Sequence, residues 1–183
     1  MKIITFFCFI TLTMCSCQSF LMMPNEPSYQ EISRFGKEVK ETYNLLLVGV
    51  GGGSFKGIKN FNLTFMGKQT PTLNEARMLF YDISTKFLER INANEKLMEL
   101  ALDESFSIAN LNISIMFPNV ENYITDVGIE FAFLRDPLQY VCFFTYDADA
   151  KKSNITYKEP YEELKKIVEE QRGLQNDATQ LTD

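Results

Sequence analysis

Four glycines within five positions, Gly49, Gly51, Gly52 and Gly53, follow the apolar run Leu45-Leu-Leu-Val48 and give a backbone that can approach a ligand closely. Phosphate chemistry would need more. A dinucleotide fingerprint requires its third glycine at position 54, where Ser54 stands, and a helix directly after it. A phosphate loop requires Gly-Lys-Ser or Gly-Lys-Thr at the end of its spacing, and neither follows. The run is therefore expected as a glycine-rich turn or bulge feeding the next strand, with Gly51, Gly52 and Gly53 kept as candidate partner-binding backbone.

The 183 residues include no histidine. That removes Ser-His and Cys-His nucleophile activation, the common zinc sites and the usual pH switch together, and no cofactor or metal is expected. Carboxylates stand close in sequence at Asp103 with Glu104 and at Glu159 with Glu162 and Glu163. Their spacing separates no acid from a base, so they are expected as solvated faces. A different pattern recurs in Asn60-Phe-Asn-Leu-Thr-Phe-Met66 and Asn110-Leu-Asn-Ile-Ser-Ile-Met116. Each alternates amide or hydroxyl side chains with bulky apolar ones. If the two strands are neighbours, Asn62, Thr64, Asn112 and Ser114 form a patch of donors and acceptors suited to sugar or peptide stems; the plainer reading is the solvent face of a half-covered sheet.

These residues need elements to hold them. Ser28-Tyr-Gln-Glu31 reads as a capping box, with Ile32, Phe35, Val39 and Tyr43 at helical spacing behind it. Leu45 to Val50 and Ile58 to Met66 read as strands, the second strictly alternating. Thr72-Leu-Asn-Glu75 is a second capping box and opens a helix whose core stripe is Leu73, Ala76, Leu79, Phe80, Ile83, Phe87 and Ile91. A short turn or helix from Asn94 precedes strands over Ile108 to Phe117, Thr125 to Leu134 and Leu138 to Tyr146, with a tight turn at Arg135-Asp-Pro137. Asp147 to Thr156 reads as polar loop with a short edge strand near Ile155, and Pro160 as the first residue of a closing helix. The order predicts an α+β two-layer sandwich, an antiparallel sheet of about five strands with helices on one face.

At the start of the chain, Lys2 precedes an apolar and hydroxyl run from Ile3 to Met14, within the roughly 7 to 15 residues of a secretory core and too short to span a bilayer stably. Met14-Cys15-Ser16-Cys17 follows. This resembles the lipobox of bacterial lipoproteins, in which a cysteine is acylated and the chain is cut just before it. Ser16 is small and Met14 bulky, which makes Cys17 the expected lipidation site rather than Cys15. The departures are Cys15 two before the cut and Met14 in place of leucine three before it. A plain signal peptide with incidental cysteines is the alternative. Thr72-Leu-Asn-Glu-Ala-Arg77, Arg90-Ile-Asn92 and the strand after Ile108 also resemble a stretch found in small lipoproteins of intracellular bacteria, which brings no activity with it.

The expected organisation is a signal peptide over residues 1–16, a lipidated tether over 17–27, one domain over 28–171 and a disordered tail over 172–183. The formal net charge of −6 and the lack of a basic stripe argue against nucleic acid as a partner. Of the four cysteines, only Cys142 stays free in that organisation, inside Tyr140-Val-Cys-Phe-Phe144, as a small buried hydrophobe. The resemblance implies attachment to a membrane through lipid, in a bacterial cell envelope and at the outer membrane in preference to the inner. The function expected is a non-enzymatic binding or structural role toward an envelope protein or cell-wall component. The alternative is a periplasmic enzyme or enzyme accessory working without histidine.

Overall fold

The computed structural model describes residues 26–54, 57–117, 128–135, 139–147 and 149–180. Cys17, the signal and the tether up to residue 25 lie outside the described residues, as do residues 136–137 of the expected turn at Arg135-Asp-Pro137 and the first three residues, 125–127, of the strand expected from Thr125. The elements are α1 (Pro27–Tyr43), β1 (Leu46–Ser54), β2 (Gly57–Met66), α2 (Leu73–Asn92), α3 (Glu95–Met98), a 3-10 turn (Ile108–Asn110), β3 (Leu111–Met116), β4 (Phe131–Arg135), β5 (Tyr140–Asp147), β6 (Lys152–Pro160) and α4 (Tyr161–Gln180). They form an α+β sandwich on one six-stranded sheet of order β1-β2-β3-β4-β5-β6.

Neighbouring strands pair antiparallel except β2 with β3, which run parallel. This corrects the expectation of a wholly antiparallel sheet. Parallel neighbours need a long crossover, and α2 supplies it between β2 and β3. Along β2 the residues Phe61, Leu63 and Phe65 are fully buried, as are Leu111, Ile113 and Ile115 on β3. They meet Ile32, Phe35 and Val39 of α1, Phe80, Ile83, Phe87 and Ile91 of α2, and Leu164 and Val168 of α4 in a single core. All three long helices thus cover the same face. Phe35 and Phe61 approach the Phe87 ring at centroid distances of 4.9 and 5.3 Å. Burying each phenylalanine contributes about 1.5–3 kcal/mol, so this cluster anchors α1 and α2 to the sheet.

Helix boundaries follow local chemistry. Thr72 and Glu75 form the expected reciprocal cap, Thr72 N–H donating to the Glu75 carboxylate at 2.8 Å and Glu75 N–H to the Thr72 hydroxyl at 3.3 Å. The backbone N–H bond from Thr72, with that of its hydroxyl, holds Glu75 below the usual carboxylate range. The expected cap at Ser28 is not formed. Pro27 occupies the first turn after Glu26, Ser28 is buried inside the helix, and Glu31 instead accepts from Arg90 and Asn94. At its other end α1 stops at Asn44, whose left-handed φ of 55° lets its N–H close on the Lys40 carbonyl.

Four further expectations give way. Ile108–Asn110 is a 3-10 turn rather than strand, because the Asn110 side chain accepts from both the N–H and the hydroxyl of Ser107. The short edge strand expected near Ile155 is present but longer, since β6 takes in from Lys152 most of the segment expected as loop and pairs along β5. Pro160 ends that strand instead of opening α4. Helix α4 continues through Gln180 where a disordered tail was expected from Arg172, since the Arg172 guanidinium bonds Asp82 of α2 and lies over the Tyr81 ring at 5.6 Å.

Cys142 is a free thiol, 1 % exposed, between the fully buried Val141 and Phe143 of β5. Cys142→Ala is expected to lower the unfolding free energy by about 1–2 kcal/mol through the small cavity it leaves. Denaturant titration measures the loss, and rapid reaction of the native protein with a thiol reagent would contradict the burial.

Candidate functional site

Alternation along a strand sends every second side chain to the opposite face, so the fully buried Phe61, Leu63, Leu111 and Ile113 turn Asn62, Thr64, Asn112 and Ser114 away from the helices. The parallel pairing sets Asn62 beside Asn112 and Thr64 beside Ser114. The spacing of the near-repeat is the register itself: each β2 residue meets the β3 residue 50 positions later, and Asn112 Nδ2 donates to Asn62 Oδ1 at 2.8 Å across that rung. Asn62 Nδ2 and Asn112 Oδ1 have no protein partner among the described residues, which leaves one donor group and one acceptor for a ligand.

β1 extends the same rung. Gly51 lies opposite Asn62 and Gly49 opposite Thr64, and a Cβ on Gly51 would stand 3.3 Å from Asn62 Nδ2. Glycine therefore keeps the approach to this amide open. Gly52 and Gly53 do something else. Gly52 has φ of 118° and would drive a Cβ to 2.1 Å from the Asn60 carbonyl oxygen, so it serves the backbone of the hairpin; Gly53, at φ of 100°, has open space beside it near the hairpin tip. The glycine run belongs to a strand at the edge of the sheet, the expected bulge shows as register shifts between Leu47 and Gly49 and between Gly52 and Ser54, and only Gly51 of the three candidates adjoins the amides.

On the other side Ser114 pairs with Phe133. The Phe131, Phe133 and Phe144 rings of β4 and β5 share this face, with centroids 5.4 to 5.6 Å apart and each ring half-buried. Sequence reading passed over them. The signal was available: Phe131-Ala-Phe-Leu134 alternates two phenylalanines against Ala132 and Leu134, so the strand carries apolar groups on both faces. On this face the amides and hydroxyls of β2 and β3 stand beside the phenylalanines of β4 and β5, Met66 and Met116 end the two amide rows, and Lys158 of β6, in register with Cys142 and through it with Phe133, sets a cation at the far edge.

Ionisable groups gather elsewhere. A cleft of about 530 Å³ at the ends of β2 and β3 is bordered by Tyr43, Asp82, Lys68 and Arg172. Tyr43 donates to Asp82 at 3.2 Å, and burial pushes its hydroxyl up, so it holds its proton rather than accepting one. Bonding to Tyr43 raises Lys86, whose ammonium lies 5.1 Å from the Tyr43 ring centre and stays charged. Glu159 is a correction to its expected solvated position: it is 8 % exposed, and Arg77 Nε and Nη2 donate to its two oxygens at 2.9 and 2.6 Å. Buried Glu31 accepts from Arg90 Nε at one oxygen and from Asn94 Nδ2 at the other, while Arg90 Nη1 donates to Glu38. Among the described residues, no three of Asp, Glu and Cys converge as metal ligands.

Set against protein-family models, curated proteins and solved structures, the chain matches none. Among the described residues no helix is long and apolar enough to cross a membrane.

Proposed function

We propose that this protein is a lipid-anchored component of a bacterial cell envelope that binds an uncharged, hydroxyl- and amide-bearing cell-wall glycan on its open sheet face and catalyses no reaction. The observation that carries the binding reading is the Asn62–Asn112 rung beside the phenylalanine trio. A sugar ring offers hydroxyl groups to the unpartnered amide atoms and an apolar C–H face to the rings. The rung and the phenylalanine trio are themselves uncharged, which suits it, because no ion of the patch must lose its water when the ligand covers them. The apolar run before Met14-Cys15-Ser16-Cys17 supports export and acylation at Cys17. Lipid at that position would hold the domain at the membrane while its sheet meets the wall.

The test is the double variant Asn62→Ala with Asn112→Ala. Both amides stand on the open face, so the unfolding free energy should move by no more than about 0.5 kcal/mol. Two lost ligand bonds at about 1 kcal/mol each should weaken retention on purified cell-wall glycan by roughly tenfold or more. Retention equal to the parent would reduce the patch to ordinary solvated surface and remove the reading.

A further inference from the structure

β1 closes one end of the sheet, with β2 on one side and no described strand on the other. Its outer side is a row of main-chain donors and acceptors, a template for an added strand. The two edges are unlike. β6 carries Lys152, Lys158, Glu159 and Pro160, residues that discourage edge pairing. β1, with sequence Leu-Leu-Val-Gly-Val-Gly-Gly-Gly-Ser, has no charge and no proline, and it exposes Leu46, Val48 and Val50 by 41, 48 and 43 %. Helix α1 runs beside this edge so closely that a Cβ on Gly36 would stand 2.7 Å from Leu47 Cδ2. The groove between them, about 370 Å³, is bordered by Lys37 and Lys40 as the only charged residues among those described.

We propose that the β1 edge takes up an extended acidic peptide segment as an additional strand, its apolar side chains against Val48 and Val50 and its carboxylates toward Lys37 and Lys40. Charge selects this occupant. A two-fold contact between copies would set the same lysines against one another, whereas a strand bearing carboxylates neutralises them. The backbone of the edge supplies affinity, and the lysines supply sign. This site shares no side chain with the Asn62–Asn112 rung, so the two readings stand or fall separately.

The probe is a fluorescein-labelled nonapeptide of alternating valine and threonine with glutamate near each end, compared with its lysine counterpart. In fluorescence anisotropy with the signal-processed protein, the glutamate peptide should bind at least about tenfold tighter, and the margin should shrink with added salt. Lys37→Glu with Lys40→Glu, both at exposed positions, should reverse the preference. Val48→Pro falls at the register shift where β1 has no Cα partner on β2, and its ring, exposed on the outer strand, should obstruct the added strand and abolish binding of either peptide. Equal affinity for the two peptides, or binding untouched by the lysine reversal, overturns the proposal. So does a dimer in light scattering that Val50→Lys disperses, or peptide binding that appears only after residues 17–25 are removed, which would give the edge to a second copy or to the chain's own tether.

Discussion

Arg77→Met should lower the unfolding free energy by about 3–5 kcal/mol, the largest stability loss expected of any single surface-layer substitution in this protein. The side chains of Arg77 and Glu159 are only 15 % and 10 % exposed, and two parallel hydrogen bonds hold the guanidinium to both carboxylate oxygens. Removing the arginine leaves a carboxylate in a site with little water and, among the described residues, no other cation bonded to it. Its charge must then be endured or neutralised, and either is unfavourable. The pair ties α2 to the end of β6 immediately before α4, so the loss falls on the attachment of the closing helix. The double variant Arg77→Met with Glu159→Met should recover most of the stability, because two apolar groups of similar volume leave nothing unsatisfied. Urea unfolding of the four proteins forms a double-mutant cycle. A single-variant loss below about 1 kcal/mol would show that the bridge behaves as an exposed ion pair.

That pair also marks the limit of what a single sequence discloses. Residues whose partners are near in sequence were legible: the Thr72–Glu75 cap, the apolar stripe of α2 from Leu73 to Ile91, and the alternation of Phe61, Leu63 and Phe65 against Asn62 and Thr64. Alternation assigns faces but is silent on strand direction, since a strand read either way presents the same residues to the same side. The parallel pairing of β2 with β3 was therefore hidden, although the 50-residue recurrence was its register in plain sight. Arg77 with Glu159, 82 residues apart, and Ser84 with Tyr161, 77 apart, leave no local trace. Both sit at the contact of α2 with the end of the chain, and the same contact carries α4 past Arg172 through Asp82. A polar, aperiodic stretch reads as disordered until a partner from elsewhere in the fold engages it. On the candidate face the amides were legible and the phenylalanines were not, because an aromatic in a strand is first credited to the core.

Cys17→Ala should move the protein completely from membranes to the soluble fraction and abolish incorporation of a fatty-acid analogue. Each acyl methylene buried in the bilayer contributes about 0.8 kcal/mol, so two or three chains amount to near-permanent attachment that no surface contact of the domain replaces. The described residues offer no helix that would span the bilayer in its stead. Cys15→Ala serves as the internal control and should label as the parent does, since Ser16 and not Met14 supplies the small residue before the expected cut. Cys142→Ala should also label normally, its thiol being buried in β5. Loss of label in Cys15→Ala alone would transfer the site to that cysteine, and a parent protein that takes up no label would remove acylation from the proposed function. The second result would leave the Asn62–Asn112 face intact as a binding surface but without the anchor that brings it to the wall. Glycan retention and fatty-acid labelling therefore test separable halves of one proposal.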